Sequence, residues 1–317
     1  MQWILRFRDW GIGGFISRGL AIGALSCLFP GACKKAAPAV PNDLTPLQKL
    51  VNSDSTLSFF HRTLLRANET ALLADASVTL LVPTNEAFRA AGYTEAGLDS
   101  LPASFADRLV RYQFIPSRIT APQGPDYTAY TTLSGSSIYG SSDGAQLFFN
   151  GIPVFADTAS TGNALVYRLG GLLQAPSDSL SQLLAGDTSL TFLAEALRRT
   201  HVYDTLLLTG PYTLLAPDNN AFRNAGYDSL PAIDSTDSLT LVGLMRFQVV
   251  KGLFFISDLP SKTSLPTLEG PSVAVSVQNG TIQFKGAGNP DPANLLYGDL
   301  PVGKGLIVHR IDLLLSP

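Results

Sequence analysis

The sequence predicts an α+β protein built from two tandem copies of one domain. Three observations carry that expectation. Residues 80–93 return as residues 214–227, with Leu80, Leu81, Pro83, Asn85, Phe88, Gly92 and Tyr93 matched by Leu214, Leu215, Pro217, Asn219, Phe222, Gly226 and Tyr227. Shorter matches flank this block in the same order on both sides. Each copy shows helical periodicity early and strand-like composition late, which is an α+β order. The period exceeds a hundred residues, about one ordinary domain and too long for a solenoid unit.

Residues 1–33 read as a lipoprotein-type signal peptide. Arg6, Arg8 and Arg18 supply positive charge, and residues 19–29 form an apolar run. That run is shorter than the roughly 20 residues a membrane span needs, and has the length of a signal core. It ends in Pro30-Gly31-Ala32-Cys33. Small residues before a cysteine resemble a bacterial lipobox, with Cys33 as the lipid attachment residue; Cys27 is a second candidate. Both cysteines of the chain lie in this leader, so the exported domains rely on core packing rather than on disulfides. The alternative is an ordinary cleaved signal or an uncleaved apolar leader.

Residues 34–43, rich in Ala and Pro, read as a tether that reaches at most about 33–36 Å. Residues 44–175 and 177–317 are the two domains. Charged residues make up 15% of the chain and the net charge is -3, against roughly 25% charged in an average protein. Such a surface gives no reason to expect a nucleic-acid partner. It suits neutral polymers or other proteins.

Each copy should open with helices. Thr45-Pro46 is a start signal, a capping hydroxyl followed by a proline whose missing N–H costs nothing. Leu57, Phe60 and Leu64 share one helical face, and Leu190, Leu193 and Leu197 repeat the stripe. Short apolar strands follow at 78–82 and 212–216, ended by Pro83 and Pro217. The next position is Thr84 in one copy and Asp218 in the other; both are strong N-caps, so a helix starts there. Phe88 and Phe222 fall one turn later and point into the core. The second half of each copy predicts antiparallel strands. Asn279-Gly280 is a hairpin signal between residues 273–277 and 282–284, and Asp143-Gly144 plays that part before residues 146–149.

These residues resemble the fasciclin-like domain family. Its first signature, a strand running into Ala-Pro-Thr-Asn-Glu-Ala-Phe, is similar to Val82-Pro83-Thr84-Asn85-Glu86-Ala87-Phe88 and to Ala216-Pro217-Asp218-Asn219-Asn220-Ala221-Phe222. Its closing signature, Gly-x-x-Val-His-x-Ile-Asp-x-x-Leu, is similar to residues 305–315, with His309 and Asp312 in place. Residues 165–173 are a degenerate copy, with Tyr167 for His and Gly170 for Asp. The resemblance implies two wedges, each a small β-sandwich with N-terminal helices, and adhesion or ligand binding rather than catalysis. It assigns Pro83, Thr84, Asn85, Phe88, Pro217, Asp218, Asn219, Phe222, His309 and Asp312 a structural role. A Tyr-His pair linked to receptor binding in some animal members is here Tyr112-Gln113 and Phe247-Gln248, so integrin-type recognition is not carried over.

Other motifs read as structure. Gly140-Ser141-Ser142-Asp143-Gly144 spells a nucleophile elbow, but a strand follows where a helix is required, which makes it a turn. His309 alternates with Ile307 and Ile311, and its counterpart is a tyrosine, which suits a hydrogen-bonded core side chain better than a metal ligand. His61 and His201 have no spaced partners, and neither a metal nor a cofactor is expected. Asp228, Asp234 and Asp237 match no calcium-loop spacing and read as a solvated loop. Asp-Ser-Leu triplets at 99–101, 178–180 and 228–230 are helix caps and turns or O-glycosylation sites.

The expected protein is an exported lipoprotein of the cell envelope, anchored in the outer membrane through Cys33. It acts as a non-catalytic adhesion or binding module on surface proteins or polysaccharide. Two weak sites on one tether gain avidity, so duplication suits binding. The alternatives are an accessory lipoprotein of an outer-membrane polysaccharide uptake system, a structural envelope protein, and a secreted hydrolase.

Overall fold

The computed structural model describes residues 44–74, 77–156, 159–208, 210–303 and 305–317. Cys27, Cys33, the leader and the tether lie outside the described residues.

The first copy opens with α1 (Pro46–Ser53). Thr45 accepts from Gln48 N at 3.2 Å, while the Gln48 side chain takes the Thr45 N–H at 2.7 Å, a reciprocal cap. A 3-10 turn, Ser55–Leu57, leads into α2 (Ser58–Ala67). After a second 3-10 turn, Thr70–Ala74, come β1 (Thr79–Pro83), α3 (Asn85–Ala90), α4 (Glu95–Ser100) and α5 (Ala103–Tyr112). The strands β2 (Phe114–Ile115), β3 (Thr128–Thr131), β4 (Ser137–Ser142), β5 (Leu147–Phe149), β6 (Ile152–Pro153), β7 (Ala159–Thr161) and β8 (Ala164–Leu169) complete it.

The second copy runs through α6 (Leu180–Ala185), a 3-10 turn at Thr188–Leu190, α7 (Thr191–Thr200), α8 (Val202–Leu208) and β9 (Tyr212–Pro217). It continues with α9 (Asn219–Asn224), α10 (Leu230–Ser235), α11 (Ser238–Phe247) and β10 (Val249–Lys251). A 3-10 turn, Leu259–Ser261, precedes β11 (Ser264–Pro266), β12 (Ser272–Gln278), β13 (Thr281–Lys285), β14 (Ala293–Val302) and β15 (Leu306–Ile311). The expected turns are in place: Asn279 and Gly280 take φ 51° and 80°, and Gly144 takes 91°, the left-handed pair and single residue that tight hairpins require.

One expectation is corrected. The strands are not all antiparallel: β8 lies parallel to β1, from Thr79↔Leu165 to Pro83↔Leu169, and β15 lies parallel to β9, from Leu306↔Tyr212 to Ile311↔Pro217. The cause is burial on both faces, which favours continuous apolar strands. Leu80, Val82 and Val166 pack into a helical core with Phe60 and Phe88, whereas Leu81, Leu165 and Leu169 face a second core with Ile138 and Phe149. In the second copy Leu214, Ala216 and Val308 face the helices, and Leu215 and Ile311 face β-strand residues such as Phe284. Each closing strand therefore sits between two cores, which holds it more firmly than an edge strand. Phe88 and Phe222 are fully buried, each contributing about 1.5–3 kcal/mol by burial.

The copies differ in their β layers. The first divides into β2-β1-β8-β7 and β3-β4-β5-β6, whereas the second is continuous as β10-β9-β15-β14-β13-β12-β11. Continuity comes from β14, ten residues long, whose pairing with β15 shifts register between Leu295 and Tyr297 and again before Leu300. Such bulges bend and twist a strand, and here they let β14 belong to both layers of the wedge. The short link between copies joins this strand: Ser177 N donates to Pro301 O at 3.1 Å and Gly303 N to Ser177 O at 3.0 Å. The two domains lie against each other.

Candidate binding site at the domain seam

Polar side chains used identically in both copies form the scaffold. Asn85 Oδ1 accepts from Phe59 N at 2.9 Å and its Nδ2 donates to Ser55 O at 2.9 Å; Asn219 does the same with Phe192 N at 3.0 Å and Thr188 O at 2.9 Å. Each asparagine thus ties the strand-to-helix corner to the opening helices. Thr84 and Asp218 cap α3 and α9, accepting from Ala87 N and Ala221 N. Arg168 pairs with Asp54, and Arg310 with Asp187 at 3.0 Å. Burial works against both carboxylates, but hydrogen bonds from Thr56 and Ser189, helped by the arginines, hold them below their ordinary pKa.

The glutamines standing where the family pattern has histidine belong to this scaffold. Gln113 Nε2 donates to Leu109 O at 3.0 Å and Leu173 O at 2.9 Å; Gln248 Nε2 donates to Leu244 O at 2.9 Å and Leu315 O at 2.7 Å. Each fastens the end of a helix to the chain beyond the closing strand. Both are fully buried, so neither presents a recognition surface.

His309 is fully buried on β15. Its Nδ1 accepts from Asp299 N at 3.1 Å, so Nε2 carries the proton and donates to Phe254 O at 2.7 Å. Both ring nitrogens are used, and burial pushes its pKa down to about 4. Asp299 sits in the second β14 bulge with φ 56°, and its Oδ1 accepts from Ile256 N at 2.8 Å. Burial, aided by nearby Asp258, pushes Asp299 up to about 7 despite that bond. In the first copy Tyr167 replaces His309 and packs on Phe149, with ring centroids 5.5 Å apart. Asp312 accepts from Asn294 N at 2.6 Å and Asn294 Nδ2 at 2.7 Å, which joins β14 to the chain after β15.

The same Phe254-to-Asp258 segment forms the seam. Phe255, fully buried, meets Tyr127 edge to face at 5.3 Å, and Tyr127 meets Tyr139 at 6.4 Å. Gly151 leaves room for Phe255: a Cβ there would stand 2.6 Å from the Phe255 Cβ. The Tyr127 hydroxyl donates to Asp258 Oδ2, which also accepts from Phe255 N at 2.7 Å. Burial and the carboxylate together hold the phenol proton in place. Beside this contact lies a cleft of about 410 Å³ with walls from both copies. Tyr127, Phe148 and Phe254 give it apolar surface, and Asp126, Asp143, Asp258, Lys262 and the hydroxyls of Ser141, Ser142, Ser257 and Ser261 give it polar groups.

The structure places the remaining sequence candidates elsewhere. Ser142 ends β4 and its Oγ accepts from Gly144 N at 3.1 Å, with β5 rather than a helix after it. His61 lies in α2, and His201 ends α7 beside Asp204 at 3.4 Å. The acidic stretch is corrected in part: Asp228 is exposed in the loop before α10, but Asp234 is inside α10 and Asp237 caps α11 through Thr240 N at 2.9 Å. Ser179 and Ser229 of the Asp-Ser-Leu triplets cap α6 and α10. Pro83 and Pro217 end β1 and β9. Among the described residues no cluster of three or more potential metal ligands occurs, and no helix is long and apolar enough to cross a membrane.

Sequence reasoning missed Tyr127, Asp258 and Asp299. The signal was a difference between the copies. Thr79 Oγ1 accepts from Ile119 N as Thr213 Oγ1 accepts from Phe254 N, which aligns the two segments. Four residues on stand Gln123 in one copy and Asp258 in the other.

A family comparison matches the two copies. The fasciclin domain family matches residues 55–175 and 188–317. Human periostin is 28% identical over 237 residues, covering 74% of this chain and 27% of periostin. The pig transforming growth factor-beta-induced protein ig-h3 is 26% identical over 247 residues, covering 76% of this chain and 35% of that protein. Synechocystis protein sll1483 is 26% identical over 150 residues, 45% of this chain and 78% of the relative. The chain thus spans about a third or less of the length of periostin and about a third of ig-h3. The solved FAS1 domain pair of the insect cell adhesion molecule fasciclin I aligns with 83% of this chain and 97% of its own, at 16% identity and a TM-score of 0.41. With the family matched twice over most of its length, the chain belongs to the fasciclin domain family as a tandem pair.

Proposed function

We infer that this protein is a cell-surface lipoprotein, tethered through Cys33, whose two fasciclin domains act together as a non-catalytic binding module in adhesion. The observation that carries the reading is the seam. The polar residues shared by the copies are occupied by internal hydrogen bonds, whereas Tyr127 and Asp258, present once each, join the copies and border a cleft. Specialisation of a duplicated protein at the junction of its copies supports a function that needs both. Labelling with radioactive palmitate tests the anchor. Incorporation should persist in Cys27→Ser and vanish in Cys33→Ser, with the wild-type protein reached by a membrane-impermeant reagent on intact cells. Incorporation that survives Cys33→Ser, or labelling only after lysis, contradicts the reading.

A second reading, an accessory lipoprotein of an outer-membrane polysaccharide uptake system, is favoured by the mixture of aromatic and hydroxyl groups around the cleft. Both readings require the same surface location and differ in what the module hands its ligand to.

A further inference from the structure

We propose that the seam cleft is a binding site for a neutral, hydroxyl-rich ligand of the saccharide class, present only because two fasciclin domains are joined. The proposal rests on the surface-binding reading and names the chemistry of its ligand. The cleft's volume of about 410 Å³ lies within the roughly 300–1,000 Å³ of small-molecule sites, room for one or two sugar rings.

Its lining selects against anionic ligands. Asp126, Asp143 and Asp258 oppose an anion. The same carboxylates would attract a cation to the rim, but at the Phe254 face it meets like charge, because Lys262 lies 5.8 Å from that ring centroid. A neutral polyol meets no repulsion from the carboxylates or at the Phe254 face. Phe148 and Phe254 are both partly exposed, and their faces suit the C–H side of a sugar ring. The polar groups alternate in kind. Asp258 Oδ2 is taken up by Tyr127 and Phe255, while its Oδ1 has no donor among the described residues. Asp126 and Lys262 make no ion pair among the described residues, which leaves carboxylate acceptors and an ammonium donor for ligand hydroxyls. A charge-assisted hydrogen bond from a sugar hydroxyl to such a carboxylate is stronger than a neutral one.

Composition across the seam follows from the same geometry. Phe148 and Asp126 come from the first copy, Phe254, Asp258 and Lys262 from the second. The Tyr127–Asp258 hydrogen bond and the Phe255 contact at Gly151 fix their spacing. A site assembled this way is lost when the copies separate, even if each remains folded.

The test uses the tagged full chain on an array carrying neutral oligosaccharides beside sulfated, sialylated and amino-sugar glycans. Phe148→Ala and Asp126→Asn are measured in parallel, after circular dichroism has shown that both keep the wild-type spectrum. Both positions lie outside the scaffold bonds described above. The expected result is retention on neutral glycans, weakened about tenfold by either variant. No retention on neutral glycans, retention confined to charged ones, or retention unchanged in both variants overturns the proposal. Partner capture on intact cells that survives Phe148→Ala would remove the cleft and leave the surface-binding reading standing. Array binding by a protein that cannot be labelled on intact cells would do the reverse.

Discussion

Gly298 and His309 face each other across β14 and β15 at a distance that only glycine allows. A Cβ at position 298 would stand 2.2 Å from His309 Nδ1, well inside van der Waals contact. The bulge that brings Asp299 N–H onto the imidazole also presses the preceding residue against it. Gly298→Ala should therefore displace a fully buried ring and cost about 2–4 kcal/mol. His309→Ala removes the obstacle, so the double variant should be less destabilised than the sum of the single ones. Additive losses in chemical denaturation would show that the ring and the bulge are not coupled.

Asp299 and His309 give opposite pH dependences. Asp299 is raised to about 7 from an unfolded value near 3.9, so the folded state binds the extra proton between those values, and stability falls as pH rises through that window. His309 is lowered to about 4 from near 6.5, so its contribution is complete above 6.5 and is lost as pH falls toward 4. Asp299→Asn keeps an acceptor for Ile256 N–H and cannot ionise. Its stability relative to wild type should rise by about 2–3 kcal/mol between pH 5 and pH 8. Urea denaturation at the two pH values measures this; a pH-independent difference would mean that Asp299 is not held protonated.

The corner asparagines should be energetic equivalents. Asn85→Ala strands Phe59 N–H and Asn219→Ala strands Phe192 N–H, and each should cost about 1–3 kcal/mol. Similar losses for the two variants would match their shared geometry. A loss at one position and none at the other would show that the copies have diverged in how they hold this corner.

Phe255 and Gly151 control the seam. Gly151 has φ 74° and no room for a Cβ beside Phe255, so Gly151→Ala should push the copies apart. Phe255→Ala should weaken the contact through lost burial, about 3–5 kcal/mol. In either variant calorimetry should resolve two transitions, where the wild type should unfold in one. A single transition in both variants would mean that other contacts couple the domains.

How much of this was legible in the sequence depends on periodicity. The repeat, Pro83 and Pro217 as strand ends, and the caps at Thr84 and Asp218 could be read because each rests on local backbone chemistry. The parallel pairing of β8 with β1 could not, since strand direction depends on contacts about eighty residues away in sequence. Asp237 looked like part of a solvated loop because its Ser-rich surroundings hide an N-cap. Tyr127 and Asp258 left no motif at all: their meeting depends on how two domains pack. Such residues are found by asking where the copies differ, whereas matching of the copies finds the scaffold.

We propose that the two domains form one binding module at the cell surface. Crosslinking of the tagged full-length protein on intact cells, followed by mass spectrometry of what is captured, tests it most directly. The wild type should capture surface proteins or envelope polysaccharide, and Gly151→Ala, in which the seam is disturbed, should capture less. Capture of intracellular proteins alone, or undiminished capture by the seam variant, would contradict it.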